Sequence, residues 1–234
     1  MKKNPILMKK VMKKTMSKIL SIECSGESLS VALTNGADIL SCRKITQSSG
    51  YPEIMVPMIR EVMDEAKEDF LSLDIVAAGG GAGSFTGIRI ALAVAGGIAM
   101  VTGCRATAIS NFFASAFMIP EEERIKADLI VTALETRRTD FYIQMFDKNL
   151  QAIDNPTALP ADKIILPKGK VLLAGDAAKR LYNELPDDMK SVAEIVQNTV
   201  PDACVMTRVA DFFGDDLPPL TPIYVTPANV TCKT

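Results

Sequence analysis

The stretch Ala77-Ala78-Gly79-Gly80-Gly81-Ala82-Gly83-Ser84-Phe85-Thr86-Gly87-Ile88-Arg89-Ile90-Ala91-Leu92 decides how the rest of the chain is read. It joins a short apolar run over 73–78 to a longer one that reaches Thr102. This pattern predicts a strand, a tight glycine-rich turn over 79–83, and a helix capped by Ser84 or Thr86. Free backbone N–H groups at such a helix start make a possible anion site. Equally, the glycines permit positive φ and close packing of helix on sheet. Spacing tests two nucleotide motifs. A P-loop needs a lysine after its last glycine, and none lies near the turn. A dinucleotide fingerprint needs G-x-G-x-x-G, but its last position falls on Ser84 or Thr86, depending on whether it starts at Gly79 or Gly81.

Working outward, residues 18–25 read as a strand through Ile19, Leu20 and Ile22, ending near the acid Glu23. Residues 28–34 alternate through Leu29, Val31 and Leu33, and Asn35-Gly36 is a strong hairpin signal before a third strand over 37–45. Helical spacing over 52–67 runs through Ile54, Met55, Met58, Ile59, Val62, Met63 and Ala66, with Pro52 in the first turn. Beyond the glycine motif come a strand over 105–109, a helix capped by Ser110, and a connector over 120–123. The order then restarts. A strand over 128–134 ends at Glu135, the counterpart of Glu23. Strands over 141–146 and 150–153 follow, then a strand over 170–174 ending in Gly175-Asp176 before a helix over 177–185. Two meander-first halves predict an α/β architecture, a duplicated actin–hexokinase–Hsp70-like (ribonuclease H-like) fold of two lobes, each with a mixed sheet and helices. The expected division is a basic leader over 1–17, an N-terminal lobe over 18–119, and a C-terminal lobe over 120–234. The tail of that second lobe is loop-rich, because Pro218, Pro219, Pro222 and Pro227 exclude a long helix there.

An apolar fraction of 48% and a charged fraction of 23% fit a globular chain. The net charge of −2 argues against a nucleic-acid field over the whole protein. Seven lysines crowd the first 18 residues, and residues 19–234 carry 19 basic and 28 acidic residues. The leader is read as a disordered tail or a misassigned start, with translation beginning at Met16; an RNA-touching arm is the lesser alternative. Its recurrent lysines, with no apolar run after them, do not make a signal peptide. No apolar run reaches the length of a membrane span, and residues 88–101 read as a buried or interface helix. Five scattered cysteines fit reduced cytoplasmic thiols rather than a disulfide framework or a zinc site. The chain contains no histidine, which excludes a Ser-His-Asp triad, a Cys-His pair and a His-ligated metal.

Residues 81–90 closely resemble the G-P-G-S-F-T-G-[LI]-R-I signature of the TsaB (YeaZ) family. The surroundings agree in order: a Ser-led helix from Ser110, Ala133-Leu134-Glu135-Thr136-Arg137-Arg138 beside the family's A-L-D-A-R-R, and Pro222-Ile223-Tyr224 beside its P-x-Y tail. The resemblance spans about residues 17–228. Ala82 replaces the usual proline, Glu23 the usual aspartate, and Tyr51 a frequent histidine.

The resemblance implies a cytoplasmic, non-catalytic subunit with no catalytic or metal-binding residue of its own. Its partners would be the TsaD paralogue, the TsaE ATPase, and tRNA through the complex, with a homodimer in isolation and no membrane contact. The assembly would add threonylcarbamoyl to N6 of adenosine 37 in tRNAs reading codons that start with A, with ATP and a metal used by the partner subunits. The pairing surface is expected on Met55, Met58, Ile59 and Val62 of one helix and on Ile88, Arg89, Leu92, Ala95 and Ala99 of the next. These same stripes also fit a lobe core. Leu92→Glu is the test suggested by the sequence. Residues available to a cofactor are Glu23, Ser25, Gly26, Gly81, Gly83 and Ser84, although Glu23-Cys24-Ser25-Gly26 is a poor copy of a phosphate-binding hairpin. A glycoprotease-like hydrolase, an ATP-binding kinase-like protein of the same fold, and a scaffold for a different client are the alternatives.

Overall fold

Alternating apolar residues and the Asn35-Gly36 turn build an opening meander of β1 (Lys18–Glu23), β2 (Ser28–Asn35) and β3 (Asp38–Thr46). These and all later elements come from a computed structural model that describes residues 17–46 and 50–225. The leader expected over 1–17 falls, except for Ser17, outside the described residues, as do Pro227 and Cys232. After the meander come α1 (Tyr51–Ala66), β4 (Ile75–Gly81), α2 (Phe85–Thr102), β5 (Arg105–Ser110) and α3 (Asn111–Phe117). A one-turn helix, α4 (Glu121–Arg124), occupies the expected connector. The second half contains β6 (Leu129–Glu135), β7 (Phe141–Phe146), β8 (Thr157–Leu159), β9 (Val171–Ala174), α5 (Ala178–Glu184), α6 (Asp187–Lys190), β10 (Ala193–Ile195) and α7 (Ala203–Phe213).

The two halves share one topology. The first sheet runs β3-β2-β1-β4-β5 and the second β8-β7-β6-β9-β10. In each, the meander is antiparallel, and the strands after it are parallel to the central strand. Among the described residues the second half lacks a counterpart of α1. A single 3-10 turn at Ala161–Lys163, with Ile164 and Leu166, covers that face instead.

Strand alternation determines which helix each side chain meets. Leu20 and Ile22 of β1 point into a core with α1 and α2, whereas Ile19 points to the opposite face and meets α7. On the second sheet, Val131 and Ala133 face α5, while Ile130 and Leu134 face α3. The last helix of each half therefore crosses to the other sheet. Phe112 and Ala116 of α3 join the second sheet, and Val205, Met206, Val209 and Ala210 of α7 join the first. Phe113 and Phe117 of α3 meet Phe212 and Phe213 of α7, with ring centroids 5.0–6.0 Å apart.

Several expectations are corrected. Gly79, Gly80 and Gly81 continue β4 rather than forming the turn. The third strand of the second half is not at 150–153. There only an isolated antiparallel bridge forms, Phe146 opposite Ala152, with Asp147 N donating to Gln151 O and Ile153 N to Met145 O, each at 2.9 Å. It goes no further because Asp154 Oδ1 accepts from Met145 N at 2.8 Å. Pairing resumes at Thr157. The tail is loop over the described residues 214–225, as its prolines predict, but it is preceded by a helix that was not expected, α7. Its signal was legible as Asp202, which caps Val205 N, followed by apolar residues at helical spacing. Since α7 packs on the first sheet, a division at residue 120 does not follow the packing.

Met206 is fully buried under the first sheet. Met206→Ala is expected to cost about 2–5 kcal/mol in urea unfolding. A cost below about 1 kcal/mol would mean that α7 does not hold that face.

Candidate functional site

The C-terminal ends of β1 and β6 open onto a cleft of about 660 Å³ between the lobes. From the first lobe it is lined by Glu23, Ser25, Gly26, Glu27, Lys44, Gly83, Ser84 and Asn111, and from the second by Glu135, Arg137, Tyr142 and Asp176. Five of the six residues considered for a cofactor therefore share one cleft. The sixth, Gly81, lies just behind it, donating its N–H to Asn111 Oδ1 at 3.3 Å.

Glu23 is 3% exposed and packed inward. Its Oε1 accepts from Ser25 N at 2.8 Å, from Asn111 Nδ2 at 3.3 Å and from Ser25 Oγ. Its Oε2 is buried without a partner against Gly79, where a Cβ would lie 1.7 Å away. Gly79 is thus the space for a carboxylate and not part of a phosphate loop. Burial raises the Glu23 carboxyl above its ordinary range; the Ser25 and Asn111 hydrogen bonds oppose this, and the charge of Asp176 adds to it. Burial also raises Asp176, with the Glu135 charge adding and the Glu135 N–H, 2.9 Å away, opposing. Glu135 itself forms a two-pronged pair with Arg180, at 2.9 Å to both Nε and NH2.

The glycine motif is filled by protein. Ser84 N donates to Ser25 O at 2.7 Å, and Ser84 Oγ caps Gly87 N at 3.2 Å. A Cβ on Gly87 would lie 1.8 Å from Cys24 O, and one on Gly83, at φ +151, would lie 2.4 Å from Ser25 O. The start of α2 is pressed against the backbone after β1, where the Ser84 N–H meets the Ser25 carbonyl and the Gly87 N–H meets the Ser84 hydroxyl. With both Glu23 oxygens turned inward as well, these residues do not fit a metal–phosphate group. Among the described residues no cluster of three or more His, Cys, Asp or Glu is arranged to hold a metal ion.

Helices α1 and α2 lie side by side on the outer face of the first sheet. Of the residues expected to pair, Met55, Met58, Ile59, Val62, Ile88, Leu92 and Ala95 are buried in the lobe core, and Ala99 is half-buried. Only Arg89 is exposed. This corrects the expected surface: helical spacing finds an apolar stripe but not what it faces. However, α2 has a second apolar stripe. Ala93, Gly97, Met100 and Val101 are exposed, with Met100 87% and Val101 81% open, and Val56 and Pro57 of α1 are also exposed. Arg89 sits beside this stripe, its guanidinium 3.7 Å from the Phe85 ring centroid and its Nε donating to Tyr224 OH at 2.9 Å. The tail holds Tyr224 there, because Ile223 N donates to Gly80 O at 2.7 Å.

Residues 45–196 match the family model described as TsaD, tRNA N6-adenosine threonylcarbamoyltransferase. The chain belongs to this family. A tRNA threonylcarbamoyladenosine biosynthesis protein TsaB from Haemophilus influenzae is 30% identical over 124 residues, 53% of this chain and 51% of that protein. The protein of the same name from Buchnera aphidicola is 28% identical over 136 residues, 58% of this chain and 60% of that one. The chain thus spans about half the length of the curated relatives it matches. Over the whole fold, YeaZ from Pseudomonas aeruginosa superposes with a TM-score of 0.73 at 23% identity, covering 89% of this chain and 100% of that structure.

In this chain the glycine signature is therefore largely a packing device. The sequence located Glu23, Ser25 and Ser84 but gave no site role to Asn111, Lys44 or Asp176, which only tertiary contact brings to the cleft. Alanine normally improves a helix over glycine by about 1 kcal/mol. Gly87→Ala should instead destabilise by about 1–3 kcal/mol in denaturant unfolding, because its Cβ meets a backbone oxygen. Glu23→Gln tests the buried carboxyl. Its folded-state pKa is raised, so its stability contribution is fully present at low pH and is lost as pH rises from the unfolded carboxylate range through the folded value. The stability of Glu23→Gln relative to wild type should therefore increase from pH 4 to pH 7 in paired thermal melts; a flat difference would refute a buried, charge-averse Glu23.

Proposed function

We propose that this chain is a non-catalytic partner subunit in the biosynthesis of threonylcarbamoyladenosine in tRNA, pairing with a TsaD paralogue through the outer faces of α2 and α1. The second apolar stripe of α2 carries this reading. The helix has a mean hydropathy of 1.7 over its 18 residues, yet only 22% of them are buried. By length and composition such a helix could also cross a membrane, but its inner face is already committed to the first sheet through Ile88, Leu92 and Ala95. An exposed apolar stripe beside a fixed arginine is the composition of a protein–protein contact. The names of the TsaB relatives support the pathway.

In this reading the catalytic step, the metal and ATP belong to the partners, TsaD and the TsaE ATPase, and tRNA reaches this subunit only through the complex. The lack of histidine and the inward-facing Glu23 support that division of labour. The isolated cytoplasmic chain would use the same surface to form a homodimer, so self-association and the heterodimer compete.

Ala93→Glu combined with Met100→Glu is expected to weaken co-purification with the paralogue by about 100-fold and to abolish tRNA modification in a reconstituted assay, with unchanged circular dichroism. Undiminished pairing would overturn the reading. Leu92→Glu, by contrast, should unfold the first lobe, since it puts a charge into the core. Calorimetry of the isolated chain is expected to give no binding heat with ATP and magnesium; tight binding would favour the kinase-like alternative.

A further inference from the structure

We propose that Cys42 of β3 and Cys204 of α7 are a paired redox site that closes to an intramolecular disulfide, stapling the crossing helix to the edge of the first sheet.

The pleat of β3 places Cys42. Ser41 and Arg43 face α1, where Ser41 Oγ donates to Glu65 at 2.7 Å and Arg43 reaches Glu61 at 3.3 Å. Cys42 and Lys44 therefore point to the opposite face, on which α7 lies. Two contacts fix the register of the helix there. Ala203 N donates to Ser30 Oγ at 2.9 Å, and Ser30 pairs with Lys44 across β2 and β3. Lys44 Nζ lies 3.9 Å from Asp202, the cap of α7. Cys204 directly follows Ala203 in the first turn of α7, and Cys42 lies one pair along from Ser30 and Lys44 on the same face. Both thiols therefore belong to the contact between β3 and the start of α7, where the Cys42 side chain acts on Cys204. Both are free.

Their environments differ in a way that orders the chemistry. Cys42 is exposed and meets an oxidant first. Burial, with the Cys42 sulfur and Asp202 adding, pushes the Cys204 thiol up to about 12, which makes it a poor first nucleophile. With glutathione disulfide as oxidant, the Cys42 thiolate attacks one sulfur, forms a mixed disulfide and releases one glutathione. Cys204 then loses its proton and attacks the Cys42 sulfur, expelling the second glutathione. Two protein thiols are oxidised and one glutathione disulfide is reduced to two glutathiones.

The staple would act on the cleft. Lys44 and Pro201, close in sequence to the two thiols, both line it. Closure would fix this wall and hold α7 under β1 and β2, the strands that carry Glu23 and Ser28.

The full chain incubated with glutathione disulfide, denatured and alkylated, should lose two labelled thiols and yield a linked Cys42–Cys204 peptide by mass spectrometry. Its melting midpoint should rise by about 5–15 °C and return on reduction. Cys42→Ser and Cys204→Ser, each checked for folding by circular dichroism, should show neither the peptide nor the rise. Glutathione trapped on Cys42 without closure, linkage to another cysteine, or only intermolecular dimers would each overturn the proposal.

Discussion

Each five-stranded sheet has an inner face that its own half does not cover, and the crossing of α3 and α7 resolves this. Ile19, Ile75 and Ala77 of the first sheet are buried by α7, which lies more than a hundred residues further along the chain. Ile130, Leu134 and Leu172 of the second sheet are buried by α3. Removing either helix would expose a largely apolar sheet face, at roughly 25 cal/mol for each Å² of apolar surface returned to water. The phenylalanines where α3 meets α7 lock the two exchanges into one unit.

The glycine signature follows from the same arrangement. For α2 to start directly beyond β4, its first turn must press against the backbone after β1. Cys24 O and Ser25 O stand where side chains at Gly87 and Gly83 would be. Gly79 gives room to a carboxylate whose second oxygen has no partner. A motif that looks like a phosphate loop in one dimension is thus a close backbone crossing in three. Burial first, and neighbouring carboxylates second, raise the carboxyls of Glu23 and Asp176 above their ordinary range.

On the outer face the physical problem is reversed. Helix α2 is apolar on two sides, and the sheet takes only one. The remaining stripe ends at Arg89, held between Phe85 and Tyr224 by a tail that pairs with Gly80. A guanidinium stacked and hydrogen-bonded in this way has little rotamer freedom left to lose, which suits a contact residue.

The sequence alone determined the element order, the duplicated halves, the chemistry excluded by the lack of histidine, and the family signature. Each of these is written in local spacing: period two in the strands, 3.6 in α1 and α2, Asn-Gly at a hairpin, serine before a helix. It placed the third strand of the second half at 150–153, where pairing stops at a single bridge because the Asp154 side chain takes the Met145 N–H. It named core residues as a contact surface because an apolar stripe carries no label for its partner. Only the tertiary structure decided that α7 belongs to the first sheet, that Asn111 and Asp176 share a cleft with Glu23, and that the start of α7 meets β2 and β3 through Ser30 and Lys44. Those facts depend on contacts between residues far apart in the chain, and no local pattern encodes which distant surface a buried face will meet.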